Sequence, residues 1–344
     1  MKILVCRLSS LGDVLLTTPA LRLLRRKFPD AQIDFLVKEE FADVLRSNPH
    51  ITHLLQFSAN DIISVLQFRF FLQRKKYDVV IDLHNSLRTR VLRFLLAPKV
   101  FVVKKNIFKR MLLVIFKLNL YSSIVSVPEK YINTLASLGI TNDNGGLDLF
   151  YDESVLSAFN KKKTDWRIAQ TEFTILFSPT AKHATKMWLP EYFIALGKKL
   201  AKEHHAKIYI VGAPNEKEYC ERIAVEINNS CADAAINTAG KISLLETAAL
   251  MEQCSAVVTN DSAMLHFASA LKKNVVAVFG STVKEFGFLP YRTNFRIVQN
   301  ENLRCRPCSH IGKNVCPEQH FRCIKDISVQ HVYESLRELL QPHT

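Results

Sequence analysis

The chain has 344 residues, 48% of them hydrophobic, and carries 46 Lys or Arg against 32 Asp or Glu, a formal charge of +14. The length points to two domains of about 150 residues each, and there is no run of about 18 apolar residues to cross a membrane. Arg7 and Asp13 break the first apolar stretch and Pro19 opens a helix, which is a poor signal peptide, so a cytoplasmic protein is expected.

Residues 2–27, KILVCRLSSLGDVLLTTPALRLLRRK, begin with the apolar run Ile3, Leu4, Val5. The polar Ser9, Ser10, Gly12 and Asp13 interrupt it, and Leu15, Leu16, Ala20, Leu21, Leu23 and Leu24 then recur at helical spacing. This is a strand, loop and helix, the opening of an α/β fold. Loops after the carboxyl ends of parallel strands are where such sheets bind ligands, which aims Asp13 into a cleft. Capping the following helix is the other reading of the same residue.

Gln32–Val37, His53–Phe57, Asp78–Leu83 and Val100–Val103 read as further strands, separated by helical segments near 40–46, 61–75, 86–96 and 106–119. Strands alternating with helices imply a parallel sheet. Between Gln67 and Leu120 there are thirteen Lys or Arg and two acids, Asp78 and Asp82. Such a face suits nucleic acid, an anionic membrane or an acidic substrate. Within it, Lys104, Lys105, Lys109, Arg110 and Lys117 alternate with Ile107, Phe108, Met111, Leu112, Val114, Ile115 and Phe116. Two readings stand: a basic amphipathic helix lying on a membrane, or a core helix with a solvated basic face.

From Gly139 to Trp166, through NDNGG and KKK, the periodicity is lost, which predicts a linker. The pattern resumes with strands at Phe173–Phe177, Lys207–Val211, near Ala235, at Ala256–Thr259 and at Asn274–Phe279. Helices are expected over 190–203, 215–228, 243–253, 263–271 and 329–340. The expected division is a first domain over 1–155, a linker over 156–170, a second domain over 171–328 and a C-terminal helix over 329–344. A cleft between two doubly wound domains is a usual small-molecule site.

Cys6, Cys220, Cys231 and Cys254 are scattered and read as small buried hydrophobes. Cys305, Cys308, Cys316 and Cys323 fall together in CRPCSHIGKNVCPEQHFRC with His310 and His320. Four thiolates would make a closed tetrahedral zinc site, but the spacing is looser than a zinc ribbon. The other reading is four reduced, packing thiols.

Three loops of the second half carry polar residues after strands. In SPTAKHATKMW, Lys186 stands just before a helix start, where a cation is unfavourable unless an anion shares the site; a phosphate would supply it. In VGAPNEKE, Glu216 is positioned to accept from ribose hydroxyls or to serve the helix dipole. In TNDSAMLH, Asp261 and Ser262 lie where a strand gives way to a helix, so the N–H groups of Ser262, Ala263 and Met264 can face an anion, with His266 one turn further on.

The ordered set formed by RLSSLGDVLLTTPAL, the P-x-A-x4-K-x-W of Pro179 to Trp188, TNDSAMLH and VFGSTVKEFGFLPY resembles glycosyltransferase family 9, the ADP-heptose:lipopolysaccharide heptosyltransferases, from about residue 2 to 335. The resemblance implies a GT-B architecture, two Rossmann-like doubly wound parallel-sheet domains facing a central cleft. The acceptor would lie on the first domain and the nucleotide sugar on the second. It also implies an inverting, metal-independent transfer at the cytoplasmic face of the inner membrane, with an anionic lipid A and core acceptor, no bound cofactor and no nucleic acid.

Carried to matching positions, the resemblance makes Asp13 the catalytic base, with Ser9, Ser10 and Gly12 shaping its loop and Arg88 on the acceptor side. Lys186 would hold the donor phosphates, Glu216 the ribose and Ile242 the adenine. Asp261 would hold the donor sugar, Ser262, Ala263 and Met264 the phosphates, and His266 completes the motif. The chain departs from the family at Thr180 and Ala263, where glycine is usual and lets backbone approach phosphate closely. Two other classes fit less well. No G-x-G-x-x-G follows the first strand, against a nicotinamide enzyme, and no recognisable nucleic-acid module is present. A non-catalytic sugar-binding relative would keep the same fold.

Overall fold

The computed structural model describes residues 1–58, 61–166 and 173–341. The chain forms two compact units, one from Met1–Lys105 with Val125–Tyr151, the other from Asn106–Ile124 with Asp152–Thr344.

In the first unit, β1 (Lys2–Cys6), β2 (Gln32–Lys38), β3 (His53–Phe57), β4 (Val79–Asp82) and β5 (Lys99–Val102) form one parallel sheet in the order β3-β2-β1-β4-β5. The near-continuous apolar runs of β1 and β4 are buried, as a sheet covered on both faces requires. Its helices are α1 (Leu11–Leu15), α2 (Thr18–Lys27), α3 (Ile62–Arg74) and α4 (Leu87–Arg93). The expected helix near 40–46 is a 3-10 turn over Glu39–Leu45.

Strand order reverses between β1 and β4, so the loops after these two strands flank a crevice. Hydrogen bonds tie them together: Arg7 Nη1 donates to Leu83 O at 2.9 Å, and Leu8 N to His84 Nδ1 at 3.2 Å.

The segment Asn106–Ile124, expected in the first domain, belongs by its contacts to the second unit. It contains α5 (Ile107–Ile115) and is held by Lys117 Nζ, which donates to Cys305 O at 3.1 Å and Pro307 O at 2.7 Å. The chain then returns to the first unit through α6 (Val127–Asn133), which the sequence reading passed over although Ser126 and Glu129 form a capping box with Pro128 in the first turn.

The stretch read as a linker is structured through most of its described length. Arg22 forks onto Asp143 and Asp148, pinning the NDNGG loop to α2. Residues 156–165, placed in a linker by the sequence, lie in α7 (Glu153–Asp165), started by the Asp152 carboxylate on Ser154 N and Val155 N. Its few apolar positions hid it. Residues 167–170 of that expected linker lie outside the described residues, as do 171–172 and 342–344 at the ends of the two segments expected to follow it.

The second unit carries a six-stranded parallel sheet of β6 (Thr174–Ser178), β7 (Lys207–Ile210), β8 (Ala235–Asn237), β9 (Ala256–Asn260), β10 (Asn274–Phe279) and β11 (Phe295–Gln299), in the order β11-β10-β9-β6-β7-β8. β11 is an edge strand that sequence reading missed; FRIVQ mixes an exposed Arg296 into a short run. The helices are α8 (Pro190–His204), α9 (Lys217–Asn228), α10 (Leu244–Gln253), α11 (Ala263–Ala270), α12 (Arg322–Lys325) and α13 (Val329–Leu340). A core of Ile175, Phe177, Trp188, Phe193, Ile208 and Val258 lies under α8 and α13. Order reverses between β6 and β9, and their loops are again stitched. Asn260 Nδ2 donates to Pro179 O at 2.8 Å, and Trp188 N to Asn260 Oδ1 at 2.9 Å. Among the described residues, no helix is long and apolar enough to cross a membrane.

Candidate active site

The first cluster sits at the switch point of the first sheet. Asp13 is in the third position of α1, where its Oδ2 accepts from Ser10 Oγ at 2.8 Å and from Ser10 N at 3.3 Å. The capping reading of Asp13 therefore holds, but the carboxylate does more. Arg7 Nη2 lies 2.7 Å from Asp13 Oδ1, with the two side chains only 10% and 16% exposed. Tyr131, brought in by α6, hydrogen-bonds Asp13, and its ring stands 5.6 Å from the Arg7 guanidinium carbon.

Burial works against the Arg7 cation, yet Asp13, Tyr131 and Asp82 together more than offset it and Arg7 ends above its ordinary pKa. Burial pushes Tyr131 up, so its phenol stays protonated. His84, from the loop after β4, is pushed down to about 3 by burial and then by the cations Arg7 and Lys105, so its ring is neutral. Its Nδ1 accepts from Leu8 N, which leaves the proton on Nε2. Gly12 is buried, Ser9 half-buried and Arg88 exposed at the start of α4. Arg88 lies close enough to His84 to lower its pKa further. The result is one carboxylate held from three sides beside a neutral imidazole.

The second cluster sits at the switch point of the second sheet. Lys186, from a short turn after β6, has Nζ 2.7 Å from Asp261 Oδ2, and Thr282 Oγ1 donates to the same oxygen at 2.6 Å. The anion expected beside Lys186 is thus supplied by a carboxylate of the protein itself. Ser262 is the N-cap of α11, and Ala263 and Met264 begin its first turn at the end of β9, partly open to solvent. His266 is buried, 6.3 Å from the Phe288 ring.

In the loop after β7, Glu216 Oε2 accepts from Ala213 N at 2.7 Å and, from the loop after β6, Thr180 Oγ1 at 2.9 Å. The Ile242 loop is drawn to the Glu216 loop by Gly240 N donating to Gly212 O at 3.2 Å. Gly240 has a φ of +70°, and a Cβ there would come within 3.0 Å of Pro214 Cα, so glycine is required. Ile242 itself is half-buried.

The loop after β10 is fixed by Arg306, whose guanidinium donates to the carbonyls of Phe279, Gly280, Thr282 and Asn300 and to Gln299 Oε1. Thr282 is thereby held against Asp261. Sequence reasoning missed Arg7, His84, Tyr131, Thr282 and Arg306. Arg7 and Thr282 lie inside RLSSLGDVLLTTPAL and VFGSTVKEFGFLPY, and His84 in a polar DLHNS run between a strand and a helix.

The cysteine-rich loop contains free thiols: Cys305 Sγ is 3.9 Å from His320 Nε2, and burial pushes Cys323 to about 12 and raises Cys308. Among the described residues, no three of His, Cys, Asp and Glu gather into a group that could hold a metal ion.

The glycosyltransferase family 9 (heptosyltransferase) model matches residues 65–319 of this chain. Lipopolysaccharide heptosyltransferase 1 of Campylobacter coli is 26% identical over 355 aligned positions, covering 98% of this chain and 99% of that protein. Among solved structures, a family 9 glycosyl transferase from Veillonella parvula superposes with a TM-score of 0.79 at 23% identity, covering 98% of this chain and 97% of that one. The ADP-heptose lipopolysaccharide heptosyltransferase II of E. coli superposes with a TM-score of 0.73 at 22% identity, covering 99% and 98%. These likenesses establish the fold.

Proposed function

Because the chain belongs to glycosyltransferase family 9 (heptosyltransferase), we propose that it transfers a heptose from ADP-heptose to the lipopolysaccharide inner core, with inversion at the anomeric carbon. The acceptor is lipid A carrying Kdo or an already heptosylated core, met at the cytoplasmic face of the inner membrane. The observation that carries this reading is the Arg7–Asp13 pair, a carboxylate oriented just beyond a strand end, 2.7 Å from a buried cation.

In this reaction Asp13 takes the proton of an acceptor hydroxyl while that oxygen forms its bond to the anomeric carbon. The bond from that carbon to the phosphate oxygen breaks, and ADP leaves with the electron pair. General-base help of this kind contributes about 10²- to 10⁴-fold. Arg7, Ser10 and Tyr131 fix the direction in which Asp13 presents its remaining lone pairs. Ser9, Gly12 and Arg88 border the acceptor.

On the donor side, Lys186 exchanges its Asp261 partner for the diphosphate, joined by the first-turn N–H groups of Ser262, Ala263 and Met264. Asp261, released, accepts from heptose hydroxyls. Glu216 takes the ribose, Thr180 holds Glu216 and Ile242 packs on the adenine, while buried His266 supports the α11 turn. With Lys186 and the helix start taking the charge on departing ADP, the transfer requires no divalent ion and no bound cofactor, and nucleic acid is not a partner.

The test is transfer in EDTA with a panel of nucleotide sugars, followed by mass spectrometry of the glycolipid. ADP-heptose should give a product one heptose heavier. Transfer from a different donor alone, or donor binding without product, would replace this reading with another family activity or with a sugar-binding role.

A further inference from the structure

The sequence leaves open whether the basic helix after Lys105 turns its apolar side inward or outward, and the fold answers this. In α5, Ile107, Phe108, Met111 and Ile115 are 53%, 64%, 42% and 61% exposed. At 100° per residue these four positions fall within a sector of about 100°, one continuous stripe. The side chain α5 buries is Leu113, which projects from nearly the opposite side. A core helix with a solvated basic face would be arranged the other way round.

The orientation is fixed from within the second unit. Lys117 Nζ holds the helix end through the carbonyls of Val114, Cys305 and Pro307, and Asn119 Nδ2 donates to Glu285 Oε1 at 3.1 Å.

The charge around the stripe identifies what covers it. Arg110 stands about 60° beyond the Ile107 edge of the stripe and Lys104 lies just before the helix, and the chain carries nine Lys or Arg and no acid between Asp82 and Glu129. A second copy meeting this face symmetrically would set like charges against each other, and lysine is depleted from protein interfaces. A cation-rimmed apolar stripe complements anionic headgroups above acyl chains.

We propose that α5 is a membrane-docking helix, lying in the plane of an anionic phospholipid surface with Ile107, Phe108, Met111 and Ile115 inserted at the acyl boundary. This rests on the reading of the acceptor as a membrane-borne glycolipid.

Vesicle flotation tests it, comparing mixed phosphatidylglycerol and phosphatidylcholine vesicles with phosphatidylcholine alone. The full chain should float with the anionic vesicles and less so in high salt. Phe108→Ser/Ile115→Ser and Lys104→Gln/Arg110→Gln should each lower that partition about tenfold or more, with melting temperatures unchanged because none of these four side chains belongs to the core. Heptose transfer to a deacylated, water-soluble core acceptor should match wild type in both variants, while transfer to acceptor embedded in vesicles falls. Anionic-vesicle binding equal to wild type in both variants, or none by wild type, would overturn the docking helix, as would lipid-independent self-association abolished by Phe108→Ser/Ile115→Ser. Vesicle binding lost in the variants, with no heptose transfer to the soluble acceptor even by wild type, would leave the docking helix standing and remove the functional reading.

Discussion

Arg7 and Asp13 are bound by a 2.7 Å ion pair across the turn between β1 and α1, and Arg7 is tied in turn to Leu83 O at the end of β4. The two strands at the switch point thus grip one carboxylate. Replacing Arg7 by Met removes the orienting cation and leaves Asp13 held by Ser10 and Tyr131 alone. The kcat should fall about 10²-fold, with the donor KM close to wild type. Tyr131→Phe, which deletes one hydrogen bond, should cost about tenfold. Steady-state kinetics with varied ADP-heptose separate these from a donor defect, which would appear in KM.

Lys186 reaches Asp261 at 2.7 Å, so the donor role proposed for it requires an exchange of anions. Lys186→Met should lower kcat/KM about 10²- to 10³-fold and weaken ADP binding in calorimetry. Unchanged ADP affinity would make Lys186 a structural partner of Asp261 and nothing more.

Thr180 spends its hydroxyl on Glu216 Oε2 at 2.9 Å. Thr180→Val keeps the volume and loses this bond, letting the carboxylate turn away from the ribose. The expected result is a donor KM raised about 3- to 10-fold with kcat unchanged.

His84 couples the site to pH. Its ordinary pKa of 6.5 is pushed down to about 3 in the fold, first by burial, so between these values the unfolded chain binds more protons than the folded one. Stability therefore rises with pH across this window and is lost as pH falls below 6.5. His84→Asn, which keeps an acceptor for Leu8 N, should flatten that loss. Urea midpoints measured from neutral pH to about pH 4 should decline more steeply for wild type; parallel curves would mean His84 is not so buried.

The strand and helix pattern was largely legible because parallel strands covered on both faces, such as β1, β4, β6 and β10, read as apolar runs. What escaped was of two kinds. β11 and α7 carry too little hydrophobic pattern to stand out, and α6 announced itself only through the Ser126 and Glu129 cap. The site's supporting residues escaped for a different reason. Arg7, His84 and Tyr131 are separated by scores of residues and meet only because strand order brings β1 beside β4 and α6 returns to the first unit. Periodicity revealed that α5 is amphipathic; its contacts were needed to learn which side faces out.

The role of Asp13 as the base is tested most directly by single-turnover transfer with Asp13→Asn. The variant keeps the shape and the Ser10 contacts but cannot take the proton. With ADP-heptose binding retained within about twofold, the chemical step should slow by about 10²- to 10⁴-fold. Product formed at the wild-type rate would show that Asp13 is not the base.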